Sequence, residues 1–319
     1  MRYLPLGESG LVVSAVGLGC NNFGGRIDAD ASRAVVDAAI EAGVTLLDTS
    51  DTYGQNGGSE SALGEILSGR RDKVVLATKF GHQKSDMGYG PAAGAKGGRA
   101  YISRAVTESL RRLRTDYIDL YQLHTPDPVT PIEETIAALH ELVAEGKVRY
   151  LGHSNFSGWQ LADAAHLAAR NGQTPFVSAQ NHWSLLERGT EAEVVPAARH
   201  FGLGVLPYFP LANGLLTGKV RQGQAIPSGT RLASREGYVT ADKLAKVEKL
   251  IAWAQDHGVT ILDVAIGALA AQPGCSSVIA GATSHEQVAY ELSLSRAAYF
   301  RRLRAAAERI ADHVGAAGQ

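Results

Sequence analysis

Cysteine is almost missing from this chain: Cys20 and Cys275 are the only two among 319 residues. Two thiols build no disulfide framework and cannot by themselves hold a structural zinc, so a reducing compartment, the cytoplasm, is expected. Net charge is missing too. A formal charge of −1 creates no global field for nucleic acid or an anionic membrane surface, and neither is expected as a partner. Long apolar runs are absent: the window 261–271 is interrupted by Asp263 and falls short of the ~18 residues that a membrane span needs. The opening MRYLPLGESG lacks a basic stretch followed by an apolar run, so no secretory signal is expected. The ten histidines include no H-x-x-x-H spacing, so no metal site is expected.

What the chain does have is apolar mass arranged in a repeat. Hydrophobic residues make up 45% of it, and its length suits one α/β barrel of ~250 residues with insertions. Short Val/Ile/Leu runs at 16–19, 45–48, 74–79, 118–124, 148–152, 176–180, 204–208 and 277–280 alternate with longer segments of helical period. None alternates cleanly between polar and apolar, as expected of parallel strands covered on both faces. Eight βα units predict a (β/α)8 TIM barrel, here a single domain over 1–319. Residues 1–13 predict a β-hairpin that plugs the barrel bottom. Segments 81–101 and 211–240 predict long loops after the third and seventh strands, on the catalytic face. The tail 314–319 is expected to fray.

The helices carry their own punctuation. Thr130-Pro131-Ile132-Glu133 reads as a capping box with proline at the first helical position. Ser103 is read as opening the helix of Val106, Leu110 and Leu113. Gly43, Gly202 and Gly258 stand just past helix ends, where a left-handed residue is wanted.

Four polar residues stand out against this background. Asp48, Lys79 and His124 each close an apolar strand, and Tyr53 follows the first of these after a short loop. A tyrosine of pKa ~10 is a poor acid at neutral pH. An adjacent ammonium lowers that value, and an aspartate holds the ammonium in place. His124 can donate to a carbonyl oxygen. Taken singly, each has a blander reading as a cap or a satisfied core residue; together, at the ends of neighbouring barrel strands, they form a proton-transfer set. Asp51, in the loop and expected to be solvated, is the second choice for the carboxylate.

Gly17-Leu18-Gly19 with Gly24-Gly25 imitates a dinucleotide fingerprint, but no helix begins at the second glycine. Asn21, Asn22 and Phe23 are instead expected at the pocket mouth. Trp183 and Tyr89 are candidates for the pocket wall.

The stretches LLDTSDTYG (46–54), SESALGEIL (59–67), TKFG (78–81), LYQLH (120–124), GHSNF (152–156), AQNHWSLLER (179–188) and YFPLANGLLTGK (208–219) together resemble the aldo-keto reductases. The resemblance implies hydride transfer from NADPH to the carbonyl of a small aldehyde or ketone. Tyr53 would be the proton donor, Lys79 its pKa depressor, Asp48 the partner of Lys79, and His124 the orienting residue. It further implies that Ser154, Asn155 and Gln180 hold the nicotinamide carboxamide and that Tyr208 stacks on the ring. Leu211, Gly214 and Lys219 would meet the pyrophosphate, and Gly281, Thr283 and Gln287 the adenosine end. There Ser284 to Gln287 reads as a second capping box.

The chain departs from the family at several points. Thr283 stands where a basic residue is common and Glu291 where asparagine is frequent, so NADPH over NADH is the family's expectation and NADH stays open. Phe209 replaces a serine that contacts the pyrophosphate, and His153 replaces a small aliphatic residue. Two other functions remain in play: a redox-sensing subunit that binds NADP(H) without turnover, and a Schiff-base aldolase with Lys79 as nucleophile.

Overall fold

Short runs rich in valine, isoleucine and leucine form the strands of the computed structural model, which describes residues 1–288 apart from Gly229 and Glu236. A hairpin of β1 (Tyr3–Pro5) and β2 (Val12–Ser14) precedes the barrel. The barrel strands are β3 (Val16–Gly19), β4 (Leu46–Asp48), β5 (Val75–Phe80), β6 (Ile118–Leu123), β7 (Val148–Ser154), β8 (Phe176–Gln180), β9 (Gly204–Val205) and β10 (Val278–Ala280). They pair in parallel in the order β10-β3-β4-β5-β6-β7-β8-β9. Parallel bridges from Val205 to Cys275 and from Tyr208 to Ile279 join the first strand to the last and close the barrel. Glu291 and residues 314–319 lie outside the described residues.

The helices are α1 (Ala29–Glu41), α2 (Tyr53–Ile66), α3 (Arg99–Leu113), α4 (Ile132–Ala144), α5 (Gly158–Arg170), α6 (Val194–His200), α7 (Ala241–Asp256) and α8 (Ile261–Ala270). One apolar layer fills the space between strands and helices. A smaller one fills the barrel floor, where Leu6, Leu11 and Val13 of the hairpin pack on Leu46, Ala77, Leu120, Leu206 and Ile279. The hairpin is thus the expected plug.

Three local expectations need correction. The helix read as starting at Ser103 starts at Arg99. Its first amides are satisfied from afar: Gly97 N–H donates to Asp127 at 2.6 Å and Arg99 N–H to Glu134 at 3.2 Å. The box at Thr130 does not form, because its hydroxyl donates to Asp127 at 2.7 Å and no side chain caps α4. The seventh barrel strand is shorter than read, since Pro207 has no N–H with which to continue the ladder. Gly43, Gly202 and Gly258 all have the left-handed backbone expected after a helix.

His153 now has a physical account. It points outward from β7 into the strand–helix layer, fully buried, stacked on Phe156 at 4.4 Å and edge-on to Phe176 at 5.3 Å. Neither ring nitrogen has a hydrogen-bond partner among the described residues. Burial pushes its pKa down to about 3. An unfolded chain protonates this imidazole below its ordinary value of 6.5, while the folded chain does not, so the site loses stability as pH falls. By linkage the loss is about 2 kcal/mol at about pH 5. His153→Leu is therefore expected to raise the unfolding midpoint, with a larger gain at about pH 5 than at about pH 8. A gain that does not change with pH, or a loss, in thermal melts at the two pH values would contradict this.

Candidate active site

The inward faces of the barrel strands change character one step above the floor. Leu46, Ala77 and Leu120 belong to the floor, and two residues on, the same faces carry Asp48, Lys79 and Gln122, as the two-residue period of a strand requires. Gly152 makes room beside them: a Cβ there would lie 2.3 Å from Ser178 Oγ and 3.0 Å from Gln122 Cγ.

Lys79 is wholly buried. Its ammonium donates to Asp48 Oδ2 at 2.7 Å and to the Thr49 carbonyl at 2.8 Å, and it reaches Tyr53 Oη at 3.5 Å. Gln180 and Gln122 amides donate to the other oxygen of Asp48 at 2.9 and 3.3 Å. Burial works against the ammonium, but Asp48, then Tyr53, outweigh it and carry Lys79 above its ordinary value. For Tyr53 the balance goes the other way from the expectation. Burial raises its pKa by more than Lys79 lowers it, so the phenol is held protonated and the net direction is up.

His124 stands on the other side of Tyr53, with ring centroids 5.9 Å apart, and edge-on to His82 at 4.7 Å. Burial, then Lys79 and His82, hold its pKa well below the ordinary value, so the imidazole is neutral. Its Nδ1 lies 3.1 Å from Ser50 Oγ. Asp51 is not solvated as expected. It is fully buried, and burial with the neighbouring Glu60 charge raises its pKa to about 7.

These groups form one end of a cavity of ≈ 830 Å³, a size that suits small-molecule and cofactor sites. Asp48, Tyr53, His124, Ser154, Asn155, Gln180, Tyr208, Leu211, Gly214, Lys219, Gly281, Thr283 and Gln287 all line it, with Lys79 directly behind. Asn21 and Asn22 line it as expected, whereas Phe23 is buried in the core. Trp183 and Tyr89 are not among its lining residues. Sequence reasoning missed His82 and Arg26 on the lining and Gln122 beneath it, and within the 211–240 loop it did not single out Asn213 or Arg231. The alternation of LYQLH, which turns Gln122 to the same face as His124, was the available signal for Gln122.

The chain matches the model of the aldo/keto reductase family over residues 15–299. It belongs to that family. It is 39% identical to the uncharacterized oxidoreductase YrpG of Bacillus subtilis over 93% of each chain. It is 35% identical to a probable voltage-gated potassium channel subunit beta of Oryza sativa, over 90% of this chain and 89% of the other. A probable aryl-alcohol dehydrogenase of Saccharomyces cerevisiae, AAD4, is 35% identical over 73% of each chain.

Aldo/keto reductases are oxidoreductases that generally use NAD(P)H, and the lining residues fit such a group. Three cationic side chains, Arg26, Lys219 and Arg231, line the cavity and suit phosphates. Asn213 Oδ1 is buried with no partner among the described residues. Beside it Gly214, at φ +108°, has nothing within 4 Å of where a Cβ would stand. Backbone in the left-handed region at Asn155, Phe209 and Asn213 turns these residues onto the same lining. Phe209 brings aromatic surface to the lining, with Arg231 and Arg235 5.6 and 5.8 Å from its ring. Only part of the expected box at Ser284 forms: Gln287 N–H donates to Ser284 Oγ at 3.4 Å, while the Gln287 side-chain Oε1 takes Thr283 N–H instead. Among the described residues no group of three His, Cys, Asp or Glu is placed to hold a metal ion.

The pair Asp48–Lys79 is expected to behave as one unit. Lys79→Met leaves an unpaired buried carboxylate and should cost about 3–5 kcal/mol. Adding Asp48→Asn should return part of that loss, so the double variant unfolds at higher urea than Lys79→Met alone. Strictly additive losses in the double-mutant cycle would show that the two charges are not coupled.

Proposed function

We propose that this chain reduces an aldehyde or ketone to an alcohol with hydride from NADPH, Tyr53 giving the proton. The observation that carries this reading is the Asp48–Lys79–Tyr53 chain at one end of the cavity, with neutral His124 facing the same space. A bound nicotinamide supplies the hydride to the carbonyl carbon. Ser154, Asn155 and Gln180 hold its carboxamide and Tyr208 stacks on it. Leu211, Gly214 and Lys219 take the pyrophosphate, and Gly281, Thr283 and Gln287 the adenosine end. His124 donates to the carbonyl oxygen and orients it. As that oxygen gains charge, Tyr53 releases its proton to it, and the Lys79 ammonium stabilises the phenolate left behind. The raised pKa of Tyr53 suits this direction, because an acid must arrive protonated.

Lys79 itself makes a poor nucleophile here. Its ammonium is committed to Asp48, Thr49 and Tyr53 and has no free electron pair, which weighs against a Schiff-base aldolase. The second reading, a subunit that senses NADP(H) redox state, is favoured by the likeness to plant channel subunits beta. The filled Asp48, Tyr53, Lys79 and His124 positions favour turnover over sensing. The two cysteines are unpaired and buried, which suits the cytoplasm.

Fluorescence titration with NADPH and NADH is the first test. Tight NADPH and weak NADH binding is expected, with the cavity cations taking the 2′-phosphate in place of a basic residue at Thr283. A preference for NADH would keep the reductase and change the cofactor; binding of neither would remove the reading. Tyr53→Phe should lower carbonyl reduction by roughly 10²–10⁴-fold while NADPH binding persists. Turnover surviving that change would show that another group is the acid. NADPH binding by the wild type without turnover of aldehydes or ketones would favour the sensor.

A further inference from the structure

Ser50 lies between two titratable groups. Its Oγ is 3.1 Å from His124 Nδ1 and 3.1 Å from Asp51 Oδ1, and it accepts from Thr52 N–H at 3.2 Å. Ser50 and Asp51 are fully buried and His124 nearly so. We propose that Asp51, acting through Ser50, decides which ring nitrogen of His124 carries its proton, so that both are positioning residues for the hydrogen bond His124 offers a substrate oxygen.

The argument counts protons. A serine hydroxyl has one to give, and neutral imidazole has one N–H. Ionised Asp51 only accepts, so it takes the Ser50 proton. Ser50 must then accept from His124 Nδ1–H, leaving Nε2 as a bare acceptor. Protonated Asp51 releases the hydroxyl, which turns to donate to Nδ1, and the imidazole proton moves to Nε2. A carbonyl oxygen needs the Nε2–H donor; an alcohol hydroxyl can use the bare acceptor. Thr52 Oγ1, 3.1 Å from Ser50 Oγ, carries its own rotatable proton and forces neither state.

The surroundings place the switch near neutrality. Burial first, then Glu60, raise Asp51 to about 7, against the pull of Ser50 and Arg112. Glu60 on α2 pairs with Arg112 on α3 at 2.7 Å, so a fixed pair of charges faces Asp51. The phenols near it, Tyr89, Tyr101 on α3 and Tyr121 on β6, are all pushed up and stay neutral. On the imidazole side Lys79 stays charged, while His82, under burial and Lys96 and Lys84, loses its proton below its ordinary value. Asp51 is protonated below about 7, so the carbonyl-donating form is present at lower pH and is lost as pH rises.

The effect on turnover rests on the reductase reading above; the tautomer does not, and is measured without turnover. Full-length protein labelled with ¹⁵N-histidine, with His124 assigned by His124→Gln, is titrated between about pH 5.5 and about pH 8.5. Long-range ¹H–¹⁵N correlation distinguishes the two neutral tautomers. His124 should pass from Nε2–H to Nδ1–H with a midpoint near 7, and neither Ser50→Ala nor Asp51→Asn should show that transition. A single wild-type tautomer across the range, or a transition that survives in Ser50→Ala, would overturn the proposal. In parallel, reduction of a model aldehyde should fall through the same midpoint in the wild type. Ser50→Ala should lose that inflection and run about three- to tenfold slower at about pH 6, with NADPH affinity unchanged. A tautomer transition in a protein that reduces nothing would keep the switch and remove the reductase; reduction with one fixed tautomer would do the reverse.

Discussion

An ammonium and a carboxylate buried together inside the barrel are the constraint around which the site is built. Alone, either charge would cost several kcal/mol in that interior. At 2.7 Å, with Gln122 and Gln180 amides on the second carboxylate oxygen, the pair becomes tolerable. Those four side chains come from β5, β4, β6 and β8, so the pair forms only where the strands hold a common register. The same ammonium acts on both neighbours: it favours the phenolate of Tyr53 and disfavours the imidazolium of His124.

The polar layer is confined to one end because the other is sealed. Leu6, Leu11 and Val13 fill the floor, and the cavity lies at the opposite end, at the strand ends where the loops gather. The loop after β9 is held there by its own apolar residues. Leu215, Leu216, Val220 and Leu232 pack against α7 and α8. Arg231 on the same loop donates to Asn22 at 2.8 Å and ties it to the loop after β3 across the cavity. A long loop with its own small core can keep a defined wall while staying open to ligand.

Misreadings cluster where a residue's neighbours come from far along the chain. Asp51 looked like a solvated loop residue because only the loop was in view; the α2–α3 packing that brings Glu60 and Arg112 against it is invisible locally. The start of α3 moved by a turn because its caps are Asp127 and Glu134. Thr130, an ordinary N-cap by sequence, gave its hydroxyl to Asp127 Oδ2, the same oxygen that takes Gly97 N–H from the preceding loop.

By itself the sequence determined the repeat of strand and helix, the placing of Asp48, Lys79 and His124 at the ends of apolar strands, and the family. Each of these depends on residue type and spacing along a few residues, and backbone periodicity converts spacing into direction wherever the chain folds. Only the tertiary structure decided which groups are buried and therefore which are charged. It raised Tyr53 where an adjacent lysine alone would lower it, buried Asp51, and set a serine between Asp51 and His124. Desolvation and charge pairing depend on what distant segments bring into contact, and a linear reading holds the list of groups but not the distances between them.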